Sequence, residues 1–193
     1  MNYSYSKDKI TSTGYVESSN ATGVYNLDGN NRVTNGTITK ANNEFEKSVF
    51  TYDSSGYLTK MVVSDDNGYT DTYKFEISNG NITSIIYENN YAASKNWTVN
   101  ISYSTIENKA EIYFWDLGFL PNDIFYNYPA LQLQGYLGKA TKNLPSMATT
   151  TGGFTGVISK VLTNDGGAVT PFTISAKDGD NDAEILNYVV SYK

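Results

Sequence analysis

The sequence predicts an all-β fold: an antiparallel meander of roughly ten to twelve strands curled into a barrel or half-barrel, with one short helical excursion. Three observations predict it. The first is a repeat: Tyr25-Asn26-Leu27-Asp28-Gly29, Phe50-Thr51-Tyr52-Asp53-Ser54 and Phe75-Glu76-Ile77-Ser78-Asn79 align at the leading aromatic, their starts 25 residues apart. Each copy runs through a polar turn into an aliphatic-Thr pair, Val33-Thr34, Leu58-Thr59 and Ile82-Thr83. The second is composition. With Tyr 17 and Phe 8 against Pro 4, the chain favours pleated, half-buried surface. The third is the regular arrival of Gly, Asn and Asp clusters, which supply turns at close intervals.

Residues 1–103 read as the repeat meander. Tyr69, Asp71, Tyr73, Phe75 and Ile77 alternate with Thr70, Thr72, Lys74 and Glu76, the period of a half-buried strand. Asp65-Asp66-Asn67-Gly68 before it and Ser78-Asn79-Gly80-Asn81 after it are hairpin turns, and Asn-Gly favours the type I′ geometry. Trp97, Val99, Ile101 and Tyr103 mark another such strand, and the denser apolar run Ala110 to Trp115 a strand buried on both sides or facing a second layer. Residues 117–146 lose the period of two and hold Pro121, Pro129 and Pro145, which reads as an irregular insertion with a short helix near 128–140. Thr149 to Gly153 reads as a flexible connector, and residues 154–193 as closing strands. A single domain of 193 residues is expected, a size common for sandwiches and barrels.

Zero His and zero Cys exclude a Ser-His-Asp triad, a Cys-His pair, thiolate or imidazole metal sites and disulfides. A net charge of -6, with 14 basic residues scattered, argues against a nucleic-acid backbone as partner. No apolar run reaches the length of a membrane-spanning helix. No cofactor is expected, and no metal site. Asp178, Asp180, Asp182 and Glu184 have the oxygen-rich look of a calcium loop, but Ala183 stands where such a loop needs Gly, so a solvated hairpin turn is favoured.

The segment Phe50-Thr51-Tyr52-Asp53-Ser54-Ser55-Gly56-Tyr57-Leu58 resembles the tyrosine-aspartate repeats of large secreted shell-forming proteins. Together with Ser78 to Ile85 and with Tyr136-Leu137-Gly138-Lys139-Ala140-Thr141-Lys142-Asn143-Leu144-Pro145, it is more closely similar to an uncharacterised family of Bacteroidetes lipoproteins. That family is described as a domain of unknown function with a porin-like fold. The Gly-Lys-x-x-Lys-Asn-Leu-Pro element is its most specific part, since hairpin physics does not require it. The resemblance implies a signal peptide and lipobox cysteine that these residues do not include. It therefore implies a lipid-anchored, extracytoplasmic protein, attached to the outer membrane or displayed at the cell surface. It brings no catalytic residues.

The function expected from the resemblance is a non-enzymatic cell-envelope module presenting a binding or structural surface, with carbohydrate or peptide as partner. Trp97, Trp115, Tyr126 and Tyr128 are the candidate ligand-binding residues, because aromatic side chains beside a long insertion can stack on sugar rings or peptide. An outer-membrane barrel is an alternative, suggested by the two-residue alternation. A carboxylate-based glycoside hydrolase is another, for which Asp71, Glu76, Asp116 and Asp123 are the carboxylates outside obvious turns.

Overall fold

A computed structural model of the protein describes residues 2–16, 19–108, 135–152, 156–159, 164–165, 168–169, 172–178 and 184–188. The strands are β1 (Asn2–Tyr5), β2 (Lys9–Val16), β3 (Ser19–Leu27), β4 (Val33–Lys40), β5 (Phe45–Tyr52), β6 (Leu58–Asp65), β7 (Thr70–Ser78), β8 (Asn81–Asn89), β9 (Trp97–Glu107) and β10 (Asn143–Gly152). They continue with β11 (Gly156–Ser159), β12 (Asn164–Asp165), β13 (Ala168–Val169), β14 (Phe172–Asp178) and β15 (Glu184–Tyr188). Thirteen of them hydrogen-bond in the order β1 to β11, then β14 and β15, while β12 and β13 pair with each other. The expected antiparallel meander is therefore the observed fold. The closing strands expected after residue 154 include β11, β14 and β15, and the two-residue pieces β12 and β13 add a separate pair.

The chain forms two compact units: residues 1–74, 87–93 and 125–139, and residues 75–86, 94–124 and 140–193. In the first, the repeat acquires a physical explanation. Four hairpins share one turn: Asp28, Lys40, Asp53 and Asp65 each donate their backbone N–H to the carbonyl four residues on, and accept a second bond at their own carbonyl from the residue three on. That third loop residue has positive φ, 60° at Asn31, 96° at Gly56 and 82° at Gly68, which completes a three-residue loop of a type I turn and a left-handed residue. The Asp side chain locks it, Oδ1 accepting from the N–H of Arg32, Tyr57 and Tyr69 at 2.9 Å in each case. Asp leads three of the four turns because its carboxylate caps the returning strand; in the turn that Lys40 leads, Asn42 Oδ1 accepts from Glu44 N at 3.2 Å instead.

The aliphatic-Thr pair is equally structural. In β3–β4 and β5–β6 the register shifts by one residue at Leu27↔Val33 and Tyr52↔Leu58. Val33 and Leu58 are buried, and the following Thr hydroxyls fill the irregularity, Thr34 Oγ1 donating to Asn26 O at 3.3 Å and Thr59 Oγ1 to Thr51 O at 3.0 Å. In the second unit Thr83 Oγ1 likewise donates to Glu76 O, at 3.3 Å. That pair follows a two-residue turn, Asn79 at φ 51° and Gly80 at φ 80°, the type I′ geometry expected there. At Asn67-Gly68 the expectation fails: Gly68 alone has positive φ, because the Asp65 cap selects the three-residue loop. The leading aromatics Tyr25, Phe50 and Phe75 are all buried.

The core of the first unit contains Ile10, Tyr25, Ile38, Phe50, Leu58, Met61 and Tyr73. Burial raises the Tyr25 phenol to about 12, with Ser12 opposing the shift and Tyr3 and Glu46 adding to it. Burial likewise raises Tyr73, Tyr87 and, in the second unit, Tyr103. A phenol that ionises near 10 unfolded and near 12 folded contributes stability fully present below pH 10 and lost as pH climbs from 10 toward 12. Alkaline unfolding is thus expected to steepen above about pH 10. Replacing Tyr25 by Phe should flatten that slope, measured by urea titration at stepped pH.

In the second unit β9 and β10 pair over most of their length, and the register shifts on both sides of Pro145, which has no N–H to give to the ladder. Residues 149–152 belong to β10, with Thr149↔Asn100 through Gly152↔Trp97, so they are strand and not a flexible connector. The reason is the β-branched Thr run, whose Ala148 and Thr150 alternate into the interior. Strand structure begins at Asn143, inside the range read as irregular. The helical excursion expected near 128–140 falls mostly outside the described residues; of the rest, 135–137 form a turn and 138–140 are irregular.

Candidate functional site

Of the four candidate aromatic residues, Trp97 opens β9 with its side chain 5% exposed, so its indole packs into the second unit's interior. Trp115, Tyr126 and Tyr128 lie outside the described residues. So do Asp116, Asp123, Asp180 and Asp182, while Asp178 ends β14.

The first unit instead presents an exposed pair of tyrosines that sequence reasoning did not select. Tyr69, 53% exposed, follows the β6–β7 turn, and Tyr91, 50% exposed, follows the end of β8. Their rings meet edge to face with centroids 5.1 Å apart. Asn90 fastens the two segments together: its Oδ1 accepts from Thr70 N at 2.9 Å, its Nδ2 donates to Gly68 O at 2.9 Å, and its own N–H reaches Thr70 O at 3.1 Å. Asn89 Oδ1 accepts from the N–H groups of Tyr91 and Ala92, which holds the chain after it. The rings are therefore mounted on a pinned turn rather than on free side chains.

Beneath them lies a polar aromatic layer. Tyr73 and Tyr87 stack tilted at 5.1 Å, and Tyr87 Oη donates to Asp71 Oδ1 at 2.7 Å. Burial pushes the Tyr87 phenol up, and the Asp71 carboxylate holds its proton further. Asp71, the strand carboxylate considered for hydrolysis, is thus a hydrogen-bond acceptor for a tyrosine. Glu76 is exposed on β7. The arrangement offers two aromatic edges with hydroxyls, an acceptor carboxylate and fixed amides, the chemistry that stacks on and hydrogen-bonds to a sugar ring or a peptide. The signal available beforehand was the turn Asp65 to Tyr69; what sequence does not contain is the register that brings Tyr91 to it.

The same unit has a pocket of about 560 Å³ where the β3–β4 and β5–β6 turns meet the segment 135–139, lined by Asn30, Arg32, Asp53, Ser54, Ser55 and Lys139 among others. The meeting is tight. Lys139 N donates to Gly56 O at 3.0 Å, Val33 N to Tyr136 O at 2.9 Å and Tyr52 Oη to Val33 O at 2.8 Å. Gly138 has φ 86°, and a Cβ there would stand 2.6 Å from Gly56 O. That explains part of the element that hairpin physics left unaccounted for. In the second unit Asn143, from the same element, exchanges bonds with Asn81: Asn143 N to Asn81 Oδ1 at 2.9 Å, and Asn81 Nδ2 to Asn143 Oδ1 at 3.0 Å.

Two solved structures share this fold. A porin-like protein from Bacteroides uniformis matches with a TM-score of 0.75 at 14% identity, covering 96% of this chain and 72% of that one. Another, from Bacteroides vulgatus, matches with a TM-score of 0.65 at 10% identity, covering 99% and 84%. No family model matches the chain, and no curated protein matches it significantly. The porin-like fold implied by the resemblance is thus the fold observed.

Proposed function

We propose that the protein is a non-enzymatic, lipid-anchored cell-envelope module that binds carbohydrate or peptide through an aromatic platform, with carbohydrate the better fit. The observation that carries the reading is the exposed Tyr69–Tyr91 pair, held at 5.1 Å by Asn90 and backed by Tyr73, Tyr87 and Asp71. Pre-mounted rings lose little freedom when a ligand stacks on them, so the binding energy is not spent on ordering. The likeness to porin-like Bacteroides proteins supports an envelope setting, and the lipid anchor rests on the family resemblance.

The surface of the first unit favours this reading over a membrane-spanning barrel. On the face opposite the buried side chains, β3 to β7 expose Thr22, Asn26, Asn35, Lys47, Thr51, Lys60 and Lys74, with Lys74 bridged to Glu88 at 2.7 Å. A lipid-facing barrel needs an apolar outward band instead. The test is a single preparation. The protein should be recovered monodisperse without detergent, and on a glycan array its signal should fall at least about tenfold in Tyr69→Ala and in Tyr91→Ala. A detergent requirement would restore the barrel reading. Array binding unchanged in both variants would remove the platform.

A further inference from the structure

The pocket between the repeat turns is separate from the tyrosine platform and has different chemistry. Its lining holds two cations, Arg32 and Lys139, and one carboxylate, Asp53. Arg32 is held by Asp28, with Nε and Nη2 both donating to Oδ2, at 2.9 and 2.7 Å. Its guanidinium lies 4.5 Å over the Tyr52 ring. The remaining nitrogen, Nη1, points elsewhere: a Cβ built on Gly56 would lie 3.7 Å from it and 3.5 Å from Lys139 Cε. Arg32 Nη1 and the Lys139 side chain thus both lie beside the Gly56 turn at the pocket wall. Among the described residues no carboxylate pairs with Lys139, whose Nζ stands 5.8 Å from the Tyr57 ring centroid.

The carboxylates nearby are already occupied. Asp28 Oδ1 accepts from Asn30 N and Arg32 N, and its Oδ2 takes both guanidinium bonds. Burial works to raise the Asp28 carboxyl, but the Arg32 bonds outweigh it and hold it below the usual range. Asp53 Oδ1 caps the N–H of Tyr57. That leaves Arg32 Nη1 and the three Lys139 protons facing Asp53 Oδ2, with the Ser54 and Ser55 hydroxyls and the Asn30 amide able both to donate and to accept, so cationic donors outnumber the carboxylate oxygen left to them. The backbone that carries these donors is fixed by the turns and by the close approach of Gly138 to Gly56.

We propose that this pocket is a binding site for an oxyanionic group, the carboxylate of an acidic sugar or an inorganic oxyanion such as sulfate. The guanidinium Nη1 and the Lys139 ammonium would take two of its oxygens as charge-assisted bonds, with the Ser54 and Ser55 hydroxyls on the third side. The Arg32–Asp28 pair positions the guanidinium and its stacking on Tyr52 fixes its plane.

The test titrates a galacturonate tetramer, the matching neutral glucose tetramer and sodium sulfate into the intact chain, reading the amide signals of Gly56 and Gly138 by NMR. The acidic tetramer should shift both and the neutral one neither. Lys139→Gln should weaken binding about tenfold, and Ser55→Glu, at an exposed turn position, should abolish it. Binding should also weaken steeply with salt. Sulfate acting alike, with the same loss in Lys139→Gln, upholds the site and names a free oxyanion as its ligand. Equal response to the neutral tetramer, no response to any probe, or binding indifferent to both variants would overturn the proposal. Because Tyr69→Ala and Tyr91→Ala leave these residues untouched, failure here and failure of the platform are read separately.

Discussion

Gly138→Ala is expected to destabilise the protein by about 2–4 kcal/mol, the sum of a left-handed backbone that Ala resists and a clash that nothing can relieve. The φ of Gly138 is 86°, and its added Cβ would meet Gly56 O at 2.6 Å and two Tyr52 ring carbons at 2.9 and 3.0 Å. The first of these is backbone, pinned by the Lys139 N–H at 3.0 Å, so it cannot swing aside as a side-chain tip would. Two other glycines separate the contributions. Gly68 also has positive φ, 82°, but a Cβ there meets nothing within 4 Å, so Gly68→Ala should cost only the backbone strain, about 1 kcal/mol. Gly29 has open space and no positive φ, and Gly29→Ala should fall within about 0.5 kcal/mol of the parent. Urea denaturation of the three variants gives the comparison. If Gly138→Ala cost no more than Gly68→Ala, the close docking of the 135–139 segment onto the Gly56 turn would be wrong.

How much of this was legible beforehand follows from which interactions are local. The Asp-led turns, the buried aromatic every second strand and the aliphatic-Thr pair are all set within one hairpin, so a repeat in the sequence carried them. The spacing from Tyr25 to Phe50 to Phe75 is two strands and two turns, which is why those residues recur on strands of the same direction. One local feature was misread: Asn67-Gly68 has the letters of a type I′ turn, but the Asp65 carboxylate, capping Tyr69 N, goes with the longer loop. Nonlocal geometry was not legible. Tyr69 meets Tyr91 only once β8 has returned to the β6–β7 turn, and the pocket requires Lys139 to reach Gly56 across more than eighty residues. Asn143 falls within the stretch that reads as irregular, 117–146. Its amide partner Asn81, sixty-two residues earlier, makes it the start of a strand.

The interior of the first unit supplies the second large effect, through a coupling between Tyr25 and Gly36. These residues pair across β3 and β4, and Gly36 pairs with Ser48 on its other side. Asn35-Gly36 has turn composition yet sits mid-strand, because the absent side chain makes room for the Tyr25 ring. A Cβ on Gly36 would stand 2.6 Å from Tyr25 Cδ1 and 2.9 Å from Ser48 Oγ. An aromatic laid across a strand glycine covers backbone that glycine leaves bare. Tyr25 is 1% exposed, and Tyr25→Ala should cost about 3–5 kcal/mol through the cavity it leaves. Gly36→Ala alone should cost about 1–3 kcal/mol by overpacking. The two costs should not add. With the ring gone, the methyl group that Gly36→Ala introduces projects into the vacated space, and the strand regains the propensity that glycine lacks, about 0.5–1 kcal/mol. The double variant should therefore be no less stable than Tyr25→Ala alone, a coupling of about 1–3 kcal/mol. A double-mutant cycle by urea denaturation measures it. Additivity within about 0.5 kcal/mol would mean that the ring does not lie over Gly36, and the account of why this glycine occupies a strand centre would fall with it.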